Sequence, residues 1–565
     1  MYLYTVFTLI YISVSNLLNF LQYIFCMVYY IIILCYPTFK NMFQSYFHVI
    51  TVGYYYGKMK SRCTYQLPVL ERLVYIVFGV SSVLTICYHV LIASSTYQHH
   101  LNWHDLKSGW SFLPHKKDVS NFEWTFWYGY FWKALPWHVG HIVLGRLLEG
   151  LNLTKYRQLF FLTFSLVSLT HLLGLKIILF YVFHSAVAFV STILHKKVMV
   201  WVTCLTLLMT LNLDYFNSNL MVHVYSSQDN TADKNYYLFV FCLALVILRY
   251  ISFCLEKCES KKPFNIYSFL DMLNYIFYLP LFFTGPVLSY DHFSQQMARE
   301  PPLWTQTRIK LTLKGFSRVI FWAAFNEFII HYLYFDAIHH QLDLLYKISL
   351  WTLVGIAYCQ GQFFFTKYVV MYELPGELAK LDGMVTPLGP KCVSYVYRFS
   401  HMWKCFDRGF YYFLKKYIYI PVGGSKHGFI WQLTGSFLCF MFIYIWHGAE
   451  IYLLFWCLLN YLGCTIEVLG SWLVQTNICR QYLQKIGNDN KRRLNGLVSV
   501  PLYLMSAMGI FFFFGGSDVG QIFFRRLLID ISWSSFIFFV FLLYCNIQNA
   551  MLIQDWQYRS KVKKL

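Results

Sequence analysis

The amino-acid sequence predicts an all-α protein that crosses a membrane many times. Of its 565 residues, 58% are hydrophobic and only 13% are charged, whereas charged residues make up about 25% of an average soluble domain. Apolar runs of about 18 or more residues, the length that a helix needs to cross the hydrocarbon core, recur along the chain. We therefore expect roughly ten to thirteen membrane helices, with some segments re-entrant or lying in the membrane interface.

Polar breaks separate the apolar runs. The first, at 96–124, is expected to be a loop at the membrane interface, and others lie at 215–236 and 291–310. The runs themselves place the expected spans near 6–36, 70–95, 125–150, 158–176, 177–195, 199–213, 236–255, 264–290, 309–335, 347–372, 430–446, 450–475, 497–514 and 531–554.

The net charge of +20 is spread over short loops rather than gathered in one patch. Basic loops of this kind are typical of the cytoplasmic side of membrane proteins. The pattern argues against nucleic-acid binding, and it places the loop before residue 70 and the C-terminal tail in the cytoplasm. The loops carry Lys58, Lys60, Arg62, Lys196, Lys197, Lys261, Lys262, Lys491, Arg492, Arg493, Arg559, Lys561, Lys563 and Lys564.

A segment rich in glycine and proline lies between apolar regions, from Leu374 to Gly424. Non-helical backbone at membrane depth is tolerated only where protein or a water-filled cavity covers it. We therefore expect this segment to be broken by turns and to border a cavity.

Two side chains that can carry a charge, His447 and Asp407, lie in apolar surroundings near that segment. A charged group at the centre of a membrane helix costs about 2.5–3.5 kcal/mol, so such residues are candidates for function. A neutral imidazole can take up and return a proton near neutral pH. Structural alternatives remain open: His447 can be hydrogen-bonded between helices, and Asp407 can cap a helix or pair with Arg408 or Lys404.

Six stretches occur in the order expected of a known family. They are NFEWTFW (121–127), LFFTGPVLSYDHF (281–293), LDGM (381–384), KCVSYVYRFSHMWKCFDRG (391–409), KKYIYIPVGGSKHG (415–428) and WHG (446–448). With them, the chain resembles the membrane-bound O-acyltransferase (MBOAT) superfamily, and more narrowly its Hedgehog acyltransferase branch. The resemblance implies the polytopic MBOAT fold as one domain over 67–565. Residues 1–66 are then an apolar extension of unknown role.

The resemblance also implies roles for individual residues. His447 is implied as the catalytic base, Asp407 as the second signature position, and Trp403 as a residue that lines or gates the acyl-CoA tunnel. Cys392 is implied as the ligand of a haem b iron, for which a thiolate is suitable; a free interfacial thiol is its alternative. The candidates for holding the CoA phosphates, or for anchoring helix ends, are Lys404, Arg408, Lys415 and Lys416.

The implied reaction transfers palmitate from palmitoyl-CoA to the N-terminal cysteine of a Hedgehog-type secreted protein. It implies a multi-pass protein surrounded by membrane lipid, in the endoplasmic reticulum or the Golgi. The chain ends in KVKKL (561–565), which matches a dilysine retrieval signal or the basic flank of the last helix.

Three rival functions remain. An MBOAT enzyme acting on a lipid or another secreted protein is the first, and the stretch KCVSYVYRFSHMWKCFD (391–407) argues against it. A non-catalytic regulatory homologue would be marked by loss of the embedded histidine. A transporter that relays protons would show paired inverted halves, and none are visible in the sequence.

Overall fold

The computed structural model describes residues 67–212, 232–260 and 267–562. The chain forms two compact units, Met1–Leu67 with Met551–Leu565, and Pro68–Ala550. Of the first unit, the structure describes Leu67 and the end of the last helix. The predicted span near 6–36 and the predicted extension 1–66 lie outside the described residues. All the site residues predicted from the sequence belong to the second unit.

The first half of the second unit is a series of long helices interrupted by one hairpin. A two-stranded antiparallel ribbon pairs Leu106 with Asp118, within the predicted polar break at 96–124. The Oδ1 of half-buried Asn121 accepts from the Trp124 N–H at 3.0 Å and so begins the helix that follows the ribbon. The elements are α1 (Val69–Tyr97), β1 (Leu106–Lys107), β2 (Lys117–Asp118), α2 (Phe122–Gly150), α3 (Arg157–Leu173), α4 (Leu175–Val190), α5 (Lys197–Met209) and α6 (Ala232–Glu259).

Shorter helices alternate with long ones in the second half. The elements are α7 (Phe269–Ile276), α8 (Leu279–Phe282), α9 (Tyr290–Met297), α10 (Gln306–Ile329), α11 (Phe335–His339), α12 (Leu342–Lys347), α13 (Leu350–Leu381), α14 (Phe399–Cys405), α15 (Arg408–Leu414), α16 (Phe429–Trp446), α17 (Ile451–Leu473), α18 (Asn477–Lys485), α19 (Asn488–Phe524) and α20 (Trp533–Val562). Single turns of 3₁₀- or π-helix extend several of them.

The predicted all-α membrane fold is confirmed. Six helices of the described residues are long and apolar enough to cross a membrane: α1, α6, α16, α17, α19 with its π-helical extension, and α20. Two shorter apolar helices, at 175–190 and 197–212, accompany them. The expected total of ten to thirteen membrane helices stays a prediction.

One expected span, 264–290, is wrong. In its place lie the short helices α7 and α8, and α8 begins beside Pro280. Buried Arg249 of α6 donates to the Ile276 carbonyl at 2.5 Å and also to the Leu281 carbonyl. An arginine can satisfy two carbonyls that the ends of short helices leave without partners. The chain therefore turns back here instead of crossing as one helix.

The expectation for 374–424 is correct only in part. Helix α13 continues through Pro375 to Leu381, so the first eight residues of the segment are helical. Turns and single helical turns then alternate with α14 and α15. Proline lacks an N–H and so leaves the Met371 carbonyl, four residues before it, without its helical donor. The Thr284 hydroxyl donates to that carbonyl at 2.8 Å, and the helix continues.

The apolar core consists of two clusters of buried side chains. One lies around α2 to α6 and extends to α15 and α16, while the other joins α1, α11, α13 and α19. Helix α6 is the most enclosed of the six candidate spans, with 78% of its apolar window buried, against 22–33% for the other five. It therefore stands inside the bundle, and the others keep apolar faces that suit contact with lipid.

Candidate active site

His447 is the C-cap residue of α16. The Gly448 N–H donates to the Ile445 carbonyl at 3.2 Å, and the Ala449 N–H donates to the Tyr444 carbonyl at 3.1 Å. These two bonds form a Schellman motif, which ends a helix and requires left-handed backbone at the following residue. Gly448 supplies that backbone with φ of 115°. The WHG sequence thus places the imidazole at a helix end rather than within a continuous helix.

Three aromatic rings surround the His447 ring, each nearly perpendicular to it. The centroid distances are 4.8 Å to Trp446, 5.6 Å to Trp456 and 5.5 Å to Phe513. Trp456 and Phe513 also contact each other at 4.7 Å. Helices α16, α17 and α19 therefore form an aromatic enclosure around the imidazole. Such an enclosure places apolar surface on three sides of the imidazole.

The His447 ring nitrogens are available to a ligand. The residue is half-buried, and neither nitrogen makes a hydrogen bond to a described residue. Neither nitrogen belongs to the fully buried polar atoms without a partner, so both border accessible space. The alternative in which His447 is hydrogen-bonded between helices is therefore not seen among the described residues. Carbonyl groups at the C-terminus of α16 also favour a positive charge there, which suits an imidazole that takes up a proton.

Asp407 caps a helix. Its Oδ1 accepts from the Phe410 N–H at 2.8 Å, which makes it the N-cap of α15. Its Oδ2 accepts from the Tyr372 hydroxyl of α13 at 2.9 Å. The structural alternative recognised from the sequence is thus present, although the partner is Tyr372 rather than Arg408 or Lys404.

Asp407 and His447 are connected through packing and not by a hydrogen bond or an ion pair. The Phe410 ring, one turn into α15, lies 4.9 Å from the Trp446 ring. Trp446 in turn precedes His447 and is fixed by a hydrogen bond from its Nε1 to the Ala244 carbonyl, at 3.0 Å. The cap at Asp407 therefore sets the end of a helix that packs directly against the residue before the imidazole.

Trp403 lies one ring away from His447. Its ring contacts Phe440 at 5.3 Å and Trp456 at 5.7 Å, and Trp456 contacts His447. Its Nε1 donates to Asn460 Oδ1 at 3.2 Å. Trp403 and His447 are therefore the two ends of an aromatic wall whose middle is Trp456.

Cys392 stands apart from this wall, in the loop after α13. Its thiol donates weakly to Gln362 Oε1 at 3.6 Å, and Gln362 Nε2 donates to the Ser394 hydroxyl at 2.7 Å. The thiol is half-buried and free of any disulfide, and once deprotonated it would have the donor chemistry of a haem-iron ligand. The described residues hold no group of three His, Cys, Asp or Glu side chains that could bind a bare metal ion.

The basic residues considered for the CoA phosphates differ in their surroundings. Lys416 Nζ pairs with Glu256 at 2.7 Å and with Asp291 at 2.8 Å. Two carboxylates already neutralise it, which leaves it poorly suited to bind phosphate. Lys404 is exposed and Arg408 is half-buried, so these two keep the predicted role open.

Sequence reasoning missed four residues of the site: Tyr372, Trp456, Asn460 and Phe513. Aromatic residues are so common in this chain, at 21%, that three of the four give no distinct signal. Asn460 does give one, since it is an amide inside an otherwise apolar run.

Comparisons with known proteins point to one family. Residues 199–514 match the model of the membrane-bound O-acyltransferase family, a range that contains His447, Asp407, Trp403 and Cys392. The chain is 32% identical to the mouse protein-cysteine N-palmitoyltransferase HHAT over 425 residues, 74% of this chain and 84% of that protein. It is 25% identical to the Drosophila melanogaster protein-cysteine N-palmitoyltransferase Rasp over 80% of this chain and 90% of that protein. It is also 25% identical to the mouse HHAT-like protein, over 78% and 86%.

Proposed function

Because the chain belongs to the membrane-bound O-acyltransferase family, we propose that it transfers palmitate from palmitoyl-CoA to the N-terminal cysteine of a Hedgehog-type secreted protein. The observation that carries the proposal is the His447 ring, whose nitrogens border accessible space inside an aromatic enclosure. The acceptor class comes from the mouse and fly relatives, both protein-cysteine N-palmitoyltransferases.

His447 acts as the base in this reaction. The N-terminal amine of the acceptor attacks the thioester carbonyl, and a His447 ring nitrogen takes the proton that the amine loses. A C–N bond forms, the C–S bond breaks, and the proton passes to the departing CoA thiolate. The products are a palmitoyl amide and free CoA. Attack by the cysteine thiol, followed by an S-to-N shift, leads to the same amide.

Asp407 and Trp403 act through position. Asp407 caps α15, whose Phe410 packs on Trp446, so it holds the backbone that carries His447. Trp403 extends the aromatic wall away from the base, where it provides an apolar surface for the acyl chain. Apolar surface is the appropriate partner for a palmitoyl group, because each buried methylene contributes about 0.8 kcal/mol.

The compartment follows from the two substrates. Acyl-CoA enters from the cytoplasm, while a secreted acceptor reaches the enzyme from the lumen. We place the protein, surrounded by membrane lipid, in the endoplasmic reticulum membrane, with the Golgi as the alternative. Residues 67–565 form the acyltransferase domain in this proposal.

Cys392 is proposed as the residue that would hold the iron of a haem b. A thiolate ligand would give that iron a characteristic absorption band. The haem would support the structure, and no step of acyl transfer would pass through it. Absorption spectra of the purified protein and of Cys392→Ala test the proposal. A Soret band that survives the substitution would show that another residue binds the iron.

The main experiment supplies the purified full chain, in lipid nanodiscs, with labelled palmitoyl-CoA and a peptide of the acceptor that begins with cysteine. We expect label on the peptide that resists hydroxylamine, which cleaves thioesters but not amides. A peptide with an acetylated N-terminus is the matched control and should stay unlabelled. Transfer to a lysolipid but not to the peptide would contradict the proposed acceptor.

His447→Ala and His447→Gln test the base. We expect transfer to fall by about 10²–10⁴-fold, the usual contribution of a positioned acid or base. His427→Ala, at an exposed histidine, is the matched control and should keep normal activity. Normal transfer by a folded His447→Ala protein would show that the base assignment is wrong.

A further inference from the structure

One face of α17 supports the whole length of α14. This face consists of four residues whose successive spacings are four, three and four, which places them on the same side of the helix. They are Trp456, Asn460, Gly463 and Glu467. Helix α14, which carries Trp403, is only seven residues long. So short a helix is not stable alone, and its orientation depends on what it contacts.

Glu467 and Gly463 fix the beginning of α14. The Glu467 carboxylate accepts from the Phe399 N–H at 2.7 Å and from the Ser400 N–H at 3.1 Å. These contacts satisfy two of the N–H groups that the start of a helix leaves free. At Gly463, an added Cβ would lie 2.4 Å from the Phe399 ring. Only glycine lets the two helices approach this closely.

Asn460 fixes the other end of α14. Its Oδ1 accepts from Trp403 Nε1 at 3.2 Å, and its Nδ2 donates to the Trp456 carbonyl at 2.8 Å. The residue is 8% exposed and lies within a candidate membrane span. Both ends of the carboxamide are engaged, so the group has one orientation. An amide in hydrocarbon is unfavourable unless it is paired in this way.

The consequence reaches the catalytic histidine. With its N–H held by Asn460, the Trp403 ring lies against Trp456, which contacts His447. Without that acceptor, the indole would gain rotational freedom, and the apolar wall next to the base would change shape. A ligand whose length must match that wall would be the first to lose affinity.

We propose that Asn460 is a positioning residue that holds Trp403 and thereby sets which acyl-chain length the site prefers. The proposal rests on the proposed function, because it takes a long-chain acyl-CoA as the ligand of this wall. Asn460 itself does not touch the reacting atoms. It acts on the shape of the apolar surface that contacts the acyl chain.

The test measures affinities of non-hydrolysable thioether analogues of myristoyl-, palmitoyl- and stearoyl-CoA for the full chain in nanodiscs, without any acceptor. In the wild type we expect the palmitoyl analogue to bind best. In Asn460→Leu the preference for palmitoyl over myristoyl, which differ by two methylenes, should fall at least about tenfold, the lower limit of what one methylene is worth in a fitted pocket. Trp403→Phe, which removes the N–H and keeps an aromatic ring, should change the preference in the same direction.

The double variant tests the coupling. If the Asn460–Trp403 hydrogen bond causes the change in chain-length preference, the two substitutions should not add up. The preference of the double variant should then differ by no more than about twofold from that of the single variant with the larger change. Asn274→Leu is the matched control, since Asn274 also donates to the carbonyl four residues before it, that of Leu270, at 3.0 Å. A loss of thermal stability in Asn460→Leu with unchanged preference would overturn the proposal and leave a structural role.

Other outcomes separate this proposal from the proposed function. A wild type that binds the analogues but does not acylate the peptide contradicts only the acceptor. A wild type that prefers palmitoyl, with variants that keep that preference, contradicts only the role of Asn460. Should Asn460→Leu fail to fold, Asn460→Ala decides, because it removes the same acceptor and leaves the Trp403 ring in place.

Discussion

Replacing Asp407 separates two roles that this acid can have: a negative charge that the proposed reaction needs, and a helix cap that supports the backbone near His447. Asp407→Ala removes both acceptor oxygens, whereas Asp407→Asn keeps one and removes the charge. Asparagine is as good an N-cap as aspartate. Its Oδ1 can accept from the Phe410 N–H, and its Nδ2 can donate to the Tyr372 hydroxyl, which rotates to accept.

The contacts of Asp407 set the expected magnitudes. Loss of the cap on α15 costs about 1 kcal/mol. The Tyr372 hydroxyl, 2.9 Å from Oδ2, would lose its acceptor, at a cost of about 1–3 kcal/mol. We therefore expect Asp407→Ala to lower the stability by about 2–4 kcal/mol. For Asp407→Asn we expect less than about 1 kcal/mol, since both contacts persist.

The assay follows thermal unfolding and peptide acylation of the same preparations in nanodiscs. Asp407→Asn should melt near the wild type and keep at least about a tenth of its activity, while Asp407→Ala loses stability and activity together. Tyr372→Phe is the companion variant, because it removes only the second contact. An Asp407→Asn protein that melts normally but is inactive would refute the reasoning, since it would show that the reaction needs the negative charge.

Three further substitutions test the support of the site and the fold. Gly448→Ala places a side chain at φ of 115° and should lower the free energy of unfolding by about 1 kcal/mol or more. Acylation should fall because the end of α16 holds His447. Gly470→Ala, which has open space around it, is the control and should not change activity. Arg249→Met leaves the carbonyls of Ile276 and Leu281 without their charged donor. It should lower the melting temperature more than Arg480→Met does at an exposed site. Equal melting temperatures of the two variants would contradict the capping role of Arg249. Gly516→Ala, at φ of 71° and two residues after the phenylalanine run (511–514) of α19, should reduce the melting temperature, and unchanged melting would show that the kink relaxes without cost.

Much of the helical framework can be predicted from apolar runs because hydrocarbon requires helices of fixed minimum length. The run near 70–95 corresponds to α1 at Val69–Tyr97, and the run near 450–475 corresponds to α17 at Ile451–Leu473. The run near 264–290 does not form a span. Local signals contribute, since a Ser268–Asp271 capping box begins α7 and Pro280 lies at the start of α8. Arg249, a residue of another helix, also donates to the carbonyls of Ile276 and Leu281, and no local pattern reports such a contact.

The candidate site likewise has features that the sequence predicts and features that depend on contacts between helices. His447 and Asp407 can be recognised from the sequence, because groups that can carry charge are costly in apolar surroundings and are kept there for a purpose. Their relation cannot be recognised. The sequence suggests an acid and a base acting together, whereas the structure joins them through Phe410 and Trp446 and gives Asp407 a helix to cap.

The sequence by itself determined that this is a helical membrane protein with an embedded histidine, since composition and helix length are properties of local segments. Only the tertiary structure decided what surrounds that histidine. Phe513 comes from a helix distant in the sequence and Trp456 from the next helix along the chain, and one face of α17 orients Trp403 through Asn460. Such contacts depend on which helix faces meet, and that choice is made by packing of the whole bundle rather than by any one segment.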